Sequence, residues 1–219
     1  MSTAAFDITA LKDIPAFAKR MFAENSDLDC IFLNSGLQRH LDWTKPDEVK
    51  LEDAELEILT NYTAYLHLVK AFLPYLQAAA PKPTSLIFTT SGLALVPILY
   101  CPNYCASKAA LHHMILALRQ QLKDVESNVR IIELYPPAVQ TELHDAKHQP
   151  EMGDRGKDMG MPLNEFTDEA YEGLCKEGEA GEQVPVQLVK TFMGFDTWEQ
   201  ERQKTFQKMS AHIKQMAGH

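Results

Sequence analysis

The chain has 219 residues, 45% of them apolar, which is enough to bury one ordinary hydrophobic core. A formal charge of −9, with no basic stripe or run, argues against nucleic-acid binding. No apolar run approaches the ~20 residues that span a bilayer, and the N-terminus does not resemble a signal peptide. Together with four cysteines at spacings that fit no metal site, these features predict a cytoplasmic protein.

Helical patterns and short apolar runs alternate along the chain. In chain order, the pattern predicts a helix over 13–23, a strand over 28–33, a helix over 51–79, a strand over 85–90, a helix over 104–125, a strand over 129–135, a helix over 164–176 and a strand over 183–187. Short runs that are apolar on both faces and separated by helices predict buried parallel strands in a doubly wound α/β sheet. We expect one domain over 1–196 and a polar helical tail over 197–219 that lies beyond the core.

Three polar residues follow the second predicted strand at spacings that suggest chemistry. Ser91 lies just past the strand end, where doubly wound sheets bind ligands. Tyr104 and Lys108 are four residues apart and therefore share one face of the next helix. An ammonium beside a phenol lowers its pKa, and such a tyrosine can exchange a proton with a carbonyl oxygen. A tyrosine and lysine at this spacing alone could merely begin a helix, but the serine at a strand end favours a hydride-transfer site.

On these residues, and on the segments 104–111 and 136–143, the chain from Phe6 to about Gln187 resembles the short-chain dehydrogenase/reductase family. Within that family it looks most like a microbial and fungal branch of uncharacterised oxidoreductases. The resemblance implies a Rossmann-type fold and NAD(P)-dependent interconversion of an alcohol and a carbonyl. Ser91, Tyr104 and Lys108 would be catalytic, and Asn61 would hold a proton-relay water near Lys108.

The resemblance also implies a set of cofactor contacts. They are Asp7 at the adenine, Asn34 along the cofactor, Lys70 as a basic contact, Tyr104 and Lys108 at the nicotinamide ribose, and Val139 and Thr141 at the nicotinamide amide and the phosphates. NADP is slightly favoured over NAD, although the residue that discriminates between them is absent. The partners implied are a small-molecule substrate and a second copy of the chain, joined through the helices over 51–79 and 104–125.

The chain departs from the family pattern at its front. The family opens with a strand and a glycine-rich loop whose amides bind the pyrophosphate, but the first glycine here is Gly36. We therefore expect an N-terminally truncated sheet without its first two strands, in which the strand at 28–33 forms an open edge. Such a chain would be poorly soluble or oligomeric and would bind NAD(P) weakly. The alternatives are a catalytically silent binding module or a fragment of a longer enzyme.

Two further segments bear on the substrate and on metal binding. The apolar run Leu93–Leu99 follows the serine and suggests a lipophilic substrate. The glycine-containing segment His144–Gly160 follows a strand end and is predicted to be a lid over the pocket. His144 and His148 have a metal-compatible spacing, but no third ligand presents itself, so no metal site is predicted.

Overall fold

The computed structural model describes residues 3–147 and 149–217. Within them, four parallel strands form one sheet in the order β1-β2-β3-β4. The strands are β1 (Cys30–Leu33), β2 (Thr84–Thr89), β3 (Val129–Tyr135) and β4 (Gln183–Pro185). Each overlaps a predicted strand, so the predicted doubly wound parallel sheet is confirmed, and the four strands fit the shortened Rossmann-type sheet.

The helices of the described residues flank this sheet. They are α1 (Ile14–Glu24), α2 (Leu51–Ile58), α3 (Ala64–Ala78), α4 (Pro102–Asp124), α5 (Leu163–Leu174), α6 (Gln187–Phe192) and α7 (Gln200–Ala217). The predicted helix over 51–79 is interrupted, because Leu59–Thr63 form a turn of π-helix between α2 and α3. None of the helices in the described ranges is both long enough and apolar enough to cross a membrane.

Alternate residues of the central strands bury opposite faces of the sheet. Leu86 and Phe88 of β2 are fully buried in a cluster with side chains of α1, α3 and α4. Ile87 lies between them on the chain and packs on the other face with Ala170 of α5. Helices on both faces explain why these strands are apolar at successive positions.

The β1 strand lies at an edge of the sheet, as the sequence predicts. It pairs only with β2 among the described strands, and Phe32 at this edge is 47% exposed. The segment around Phe6 is irregular, and it pairs with none of the four strands in the described residues. Phe6 instead stacks on Phe17 of α1 at 4.2 Å between ring centroids, which ties the segment to the helical layer rather than to the sheet.

The predicted helical tail is present as α7, but its expected position beyond the core is wrong for its first residues. Glu199, just before α7, is fully buried. Further along, Arg202 reaches His113 of α4, and Lys214 forms an ion pair with Asp124 at the end of α4. The tail therefore runs beside α4, and the boundary at 196/197 remains a prediction.

Candidate active site

The turns that follow β1, β2 and β3 meet at one edge of the sheet and border a cleft of about 450 Å³. This arrangement follows from parallel strands, whose carboxyl ends share one edge. The cleft brings together most of the predicted site residues, namely Asn34, Ser91, Tyr104, Lys108, Val139 and Thr141. Residues up to 107 positions apart in the sequence, from Asn34 to Thr141, are thus joined in a single site.

Ser91 and Tyr104 face each other across this cleft. Ser91 caps a short 3-10 helix, where its Oγ accepts a hydrogen bond from the Leu93 amide at 3.0 Å. Tyr104 lies in the first turn of α4, which opens with Pro102 at a position where proline is tolerated. Burial raises the pKa of Tyr104 above its ordinary value, and the hydrogen bond with Ser91 opposes that shift. The phenol is therefore protonated at neutral pH.

Lys108 lies one turn further along α4 and is buried. Its Nζ donates a hydrogen bond to the Thr89 carbonyl at 2.8 Å and lies 5.7 Å from the centroid of the Tyr104 ring. Burial lowers the pKa of Lys108 to about 8. The Lys108 ammonium is bonded to a backbone carbonyl and not to the phenol, and its tuning of the Tyr104 pKa stays a prediction.

Asn61 reaches the site from the π-helical turn and is fully buried. Its Nδ2 donates to the Leu37 carbonyl at 2.8 Å, and its Oδ1 accepts from the Leu37 amide at 2.9 Å. At Gly36 a Cβ atom would stand 3.2 Å from Asn61 Oδ1 and 3.6 Å from Lys108 Nζ. The side chains of Asn61 and Lys108 therefore both approach the backbone at Gly36, and its lack of a side chain leaves that space open.

The remaining cleft residues are held by contacts between loops. Asn34 Oδ1 accepts a hydrogen bond from the Thr89 hydroxyl at 2.7 Å, which joins the turns after β1 and β2. Val139 forms a parallel bridge with Met161, and a Cβ at Gly160 would lie 2.3 Å from the Ala138 carbonyl oxygen. Gly160, at φ +95, thus permits the close approach that places Val139 and Thr141 at the cleft.

Two predicted cofactor residues are not brought to this cleft. Asp7 is exposed, and its Oδ1 accepts hydrogen bonds from the amide and hydroxyl of Thr9 at 2.9 and 2.7 Å. These bonds lower the pKa of the Asp7 carboxyl. Lys70 is exposed on α3 and is likewise absent from the cleft lining. Their cofactor contacts remain predictions.

Sequence reasoning did not identify two side chains that shape the site. Tyr65 donates its hydroxyl to the Ser35 carbonyl at 2.6 Å and so holds the turn after β1. Glu57 is fully buried, and its carboxylate accepts hydrogen bonds from the Arg39 amide at 2.8 Å and from the side chain of Asn103. Glu57 thereby joins the loop after Gly36 to the turn of α4 that carries Tyr104. Its partners Arg39 and Asn103 lie 18 and 46 residues away along the chain, so no local pattern marks Glu57.

The segment His144–Gly160 contains short 3-10 helices at Glu142–His144 and Pro150–Asp158. His144 is buried at the cleft, and burial lowers its pKa. Gln149 Nε2 donates to the Gln38 side-chain carbonyl at 2.9 Å, which ties this segment to the loop after β1. His148 lies outside the described residues, and among those residues no group of three or more His, Cys, Asp or Glu side chains is placed so that it could hold a metal ion. The proposed lid movement remains a prediction.

The chain is similar to a known protein family and to several of its members. The model of the family described as short chain dehydrogenase matches residues 1–152. The uncharacterized oxidoreductase DltE of Bacillus subtilis (strain 168) is 36% identical over 156 residues, which are 71% of this chain and 58% of that protein. The hydroxysteroid 11-beta-dehydrogenase 1-like protein of Xenopus tropicalis is 34% identical over 100 residues, 43% of this chain and 31% of that protein.

Solved structures support the same fold. A short chain dehydrogenase from Burkholderia cenocepacia in complex with NADP aligns with a TM-score of 0.65 at 22% identity, covering 97% of this chain and 79% of that one. A short chain dehydrogenase/reductase from Burkholderia phymatum in complex with NAD aligns with a TM-score of 0.70 at 16% identity, covering 85% and 73%. At these identities the likeness shows the fold alone.

The alignments cover only part of each of these relatives. The chain spans 53% to 58% of the length of the bacterial oxidoreductases that it matches. The family model nevertheless covers well over half of the chain, and it includes Ser91, Tyr104 and Lys108. The predicted resemblance is confirmed, and the bacterial relatives fit its microbial branch. The chain belongs to the short chain dehydrogenase family.

Proposed function

We propose that the chain carries the catalytic site of an NAD(P)-dependent oxidoreductase that interconverts an alcohol and a carbonyl. The observation that supports this most directly is the meeting of Ser91, Tyr104 and Lys108 in one cleft, with Asn61 held behind them. A hydroxyl, a phenol and an ammonium at one point can bind a carbonyl oxygen and supply its proton.

The cleft fits one end of the cofactor. Lys108, Asn34, Val139 and Thr141 line it and could hold the nicotinamide and its ribose. When bound there, the nicotinamide ring would supply or accept the hydride. Within residues 3–147 and 149–217, no glycine-rich turn precedes β1 to hold the phosphates. The slight preference for NADP over NAD therefore rests on resemblance only.

The protein groups would act on the oxygen and its proton. Because burial keeps Tyr104 protonated, it is poised to donate a proton to a carbonyl oxygen during reduction. Ser91, bonded to Tyr104, would orient that oxygen. Lys108, with a pKa of about 8, would exchange protons near neutrality and replenish Tyr104 through a water held by Asn61.

The substrate is proposed to be small and partly lipophilic. Leu37, Leu143, Leu163 and Phe166 add apolar side chains to the polar cleft residues. A pocket of this kind excludes water around a reacting carbonyl and favours an apolar substrate body. The segment His144–Gly160 contributes His144 to the same wall, which is consistent with a lid.

We also propose that the chain forms a homo-oligomer and is cytoplasmic. The expected interface uses α4 and the helices over 51–79. Because Arg202 and Lys214 place α7 beside α4, part of the outer face of α4 is occupied by the chain itself. An interface on this side would therefore have to include α7.

The alternative is a catalytically silent binding module. It is favoured by the position of β1 at an edge of the described sheet, where Phe32 is 47% exposed. Such an edge can pair with a strand from another chain. This reading requires no hydride transfer and predicts no turnover with any carbonyl.

The experiment that separates these functions uses the purified 219-residue chain. Calorimetric titration with NADPH and NADH measures cofactor binding, and light scattering measures the oligomeric state. Consumption of NADPH or NADH is then followed with a panel of aliphatic and aromatic ketones. Turnover supports the oxidoreductase, whereas a chain that binds neither cofactor and reduces no ketone supports the binding module.

A further inference from the structure

One helical turn beyond Lys108, α4 carries a histidine buried between two carboxylates. His112 Nδ1 lies 2.8 Å from Glu133 Oε1, and His112 Nε2 lies 3.1 Å from Glu199 Oε1. All three residues are 0% exposed. Isolated buried charges are strongly unfavourable, so this arrangement is stable only as a matched set.

The two carboxylates come from opposite ends of the fold. Glu133 lies in the middle of β3, and its Oε2 accepts a hydrogen bond from the Tyr135 hydroxyl at 2.7 Å. Glu199 comes from the turn before α7, where Gln203 Nε2 donates to it at 2.7 Å and Arg202 Nη2 lies 2.6 Å away. The tail thus inserts a carboxylate and a guanidinium beneath α4.

The sheet register brings this cluster next to the candidate active site. Leu134, the residue after Glu133, pairs with Thr89 of β2, and the Thr89 carbonyl accepts the hydrogen bond from Lys108 at 2.8 Å. Lys108 and Glu133 therefore lie in the same layer between α4 and the sheet. Other titratable groups face the two cations, namely Tyr65 and Tyr104 beside Lys108, and Tyr135, His113 and Arg202 beside His112.

We propose that Glu133 is a positioning residue for the candidate active site, which retains positive charge at Lys108 and, together with Glu199, holds a charged His112 under α4. Burial opposes a charge on His112, yet the two carboxylates raise its pKa to about 9. At Lys108 burial lowers the pKa to about 8, and the charge of Glu133 opposes that fall. The consequence for catalysis rests on the proposed function, but the charge coupling can be measured without turnover.

The test is NMR titration of the 219-residue chain with isotope-labelled lysine, in which Lys108→Arg identifies the Lys108 signal. The variant Glu133→Gln removes the negative charge while keeping the side-chain shape. We expect the pH midpoint of Lys108 to fall by roughly one unit. Glu201→Gln is the matched control, because Glu201 is an exposed carboxylate two residues from Glu199 and is expected to leave the midpoint unchanged.

A conservative variant at Glu133 separates the effect of the carboxylate charge from the effect of side-chain shape. Glu133→Asp retains the carboxylate, so the Lys108 midpoint should return towards the wild-type value even if the protein unfolds more easily. If Glu133→Gln does not fold, Glu199→Gln provides a second test through labelled histidine, where the midpoint of His112 should fall. An unchanged Lys108 midpoint in folded Glu133→Gln, an unchanged His112 midpoint in Glu199→Gln, or an equal shift in Glu201→Gln would overturn the proposal.

Discussion

Two consecutive turns of α4 bury a cation in opposite ways. Lys108 bonds to the neutral carbonyl of Thr89, and burial lowers its pKa to about 8. Although burial alone would also lower the pKa of His112, Glu133 and Glu199 raise it to about 9. Both side chains are at most 2% exposed as whole residues, so the difference comes from their partners rather than from their depth.

The helix α4 thus contributes both to the candidate active site and to the attachment of the tail. Desolvation disfavours any charge, and a carboxylate at hydrogen-bond distance reverses that effect. The turn with Lys108 faces the cleft, and its pKa of about 8 suits the proton relay that we propose there. The turn with His112 keeps its charge near neutral pH and binds the tail. The substitutions below change either the cleft side of α4 or the contacts that attach the tail to α4.

The largest effect is expected at the cleft, from Tyr104→Phe. This change removes the proton donor but keeps the ring, so turnover should fall by ~10²–10⁴-fold while cofactor binding is retained. Steady-state rates and calorimetric titration with NADPH measure the two properties. Tyr171→Phe is the control, because Tyr171 is 72% exposed on α5 and should leave the rate unchanged. A Tyr104→Phe protein with wild-type turnover would exclude Tyr104 as the acid.

The next largest effect is expected from His112→Asn, which removes the imidazolium that lies between the buried carboxylates of Glu133 and Glu199. Removal of one member of a buried ion pair costs about 3–5 kcal/mol in the free energy of unfolding. Because the folded-state pKa of about 9 lies above the ordinary 6.5, the contribution of His112 is complete below pH 6.5 and is lost as the pH rises through 9.

The gap in unfolding free energy between wild type and His112→Asn should therefore be widest near pH 6.5 and narrow towards pH 9. Urea denaturation across this range measures it. His67→Asn is the control, since His67 is exposed on α3 and should change stability little at any pH. A constant gap would mean that His112 stabilises the fold by shape and not by charge.

Lys108→Met should raise the free energy of unfolding, whereas His112→Asn should lower it. The folded-state pKa of about 8 lies below the ordinary 10.5, so wild-type stability rises as the pH increases from 8 to 10.5, where only the unfolded chain retains the proton. At pH 7 the methionine variant should be more stable by about 1–3 kcal/mol, since it buries no charge. The difference in unfolding free energy between Lys108→Met and wild type should shrink as the pH rises from 8 to 10.5.

Lys70→Met, at an exposed lysine on α3, is the control. A Lys108→Met protein that is less stable than wild type would contradict a lowered pKa at Lys108.

Much of this arrangement could be predicted from sequence because local rules determine it. Strand ends and helical spacing placed Ser91, Tyr104 and Lys108 correctly, since a parallel sheet gathers its carboxyl ends at one edge. Of the adjacent His112 and His113 on α4, His112 is buried and His113 is exposed, as neighbouring positions on a helix that packs on one face require. These features depend on periods of two and of 3.6 residues, which a sequence displays directly.

The charge states could not be predicted because they depend on distant partners. The pKa of Lys108 depends on whether its nearest acceptor is the Tyr104 phenol or the Thr89 carbonyl, a choice made by packing. The partner of His112 from the tail, Glu199, lies 87 residues away in sequence. One signal was available: Glu133 is a charged residue between the apolar Ile132 and Leu134 of β3, which indicates a buried partner.

The smallest effect is expected at the far end of α4, where Lys214 of α7 pairs with Asp124. Their side chains are 38% and 32% exposed, so water and salt screen the interaction that burial strengthens at His112. Lys214 lowers the pKa of Asp124, so this contribution is present at neutral pH and lost on acidification. Lys214→Met should lower the free energy of unfolding in urea denaturation far less than His112→Asn does, and the loss should vanish in high salt. Lys204→Met, which removes an exposed pair with Glu201 on the same helix, is the matched control. A loss comparable to that of His112→Asn would show that α7 is anchored along its whole length, and that the buried cluster is only one of its attachments.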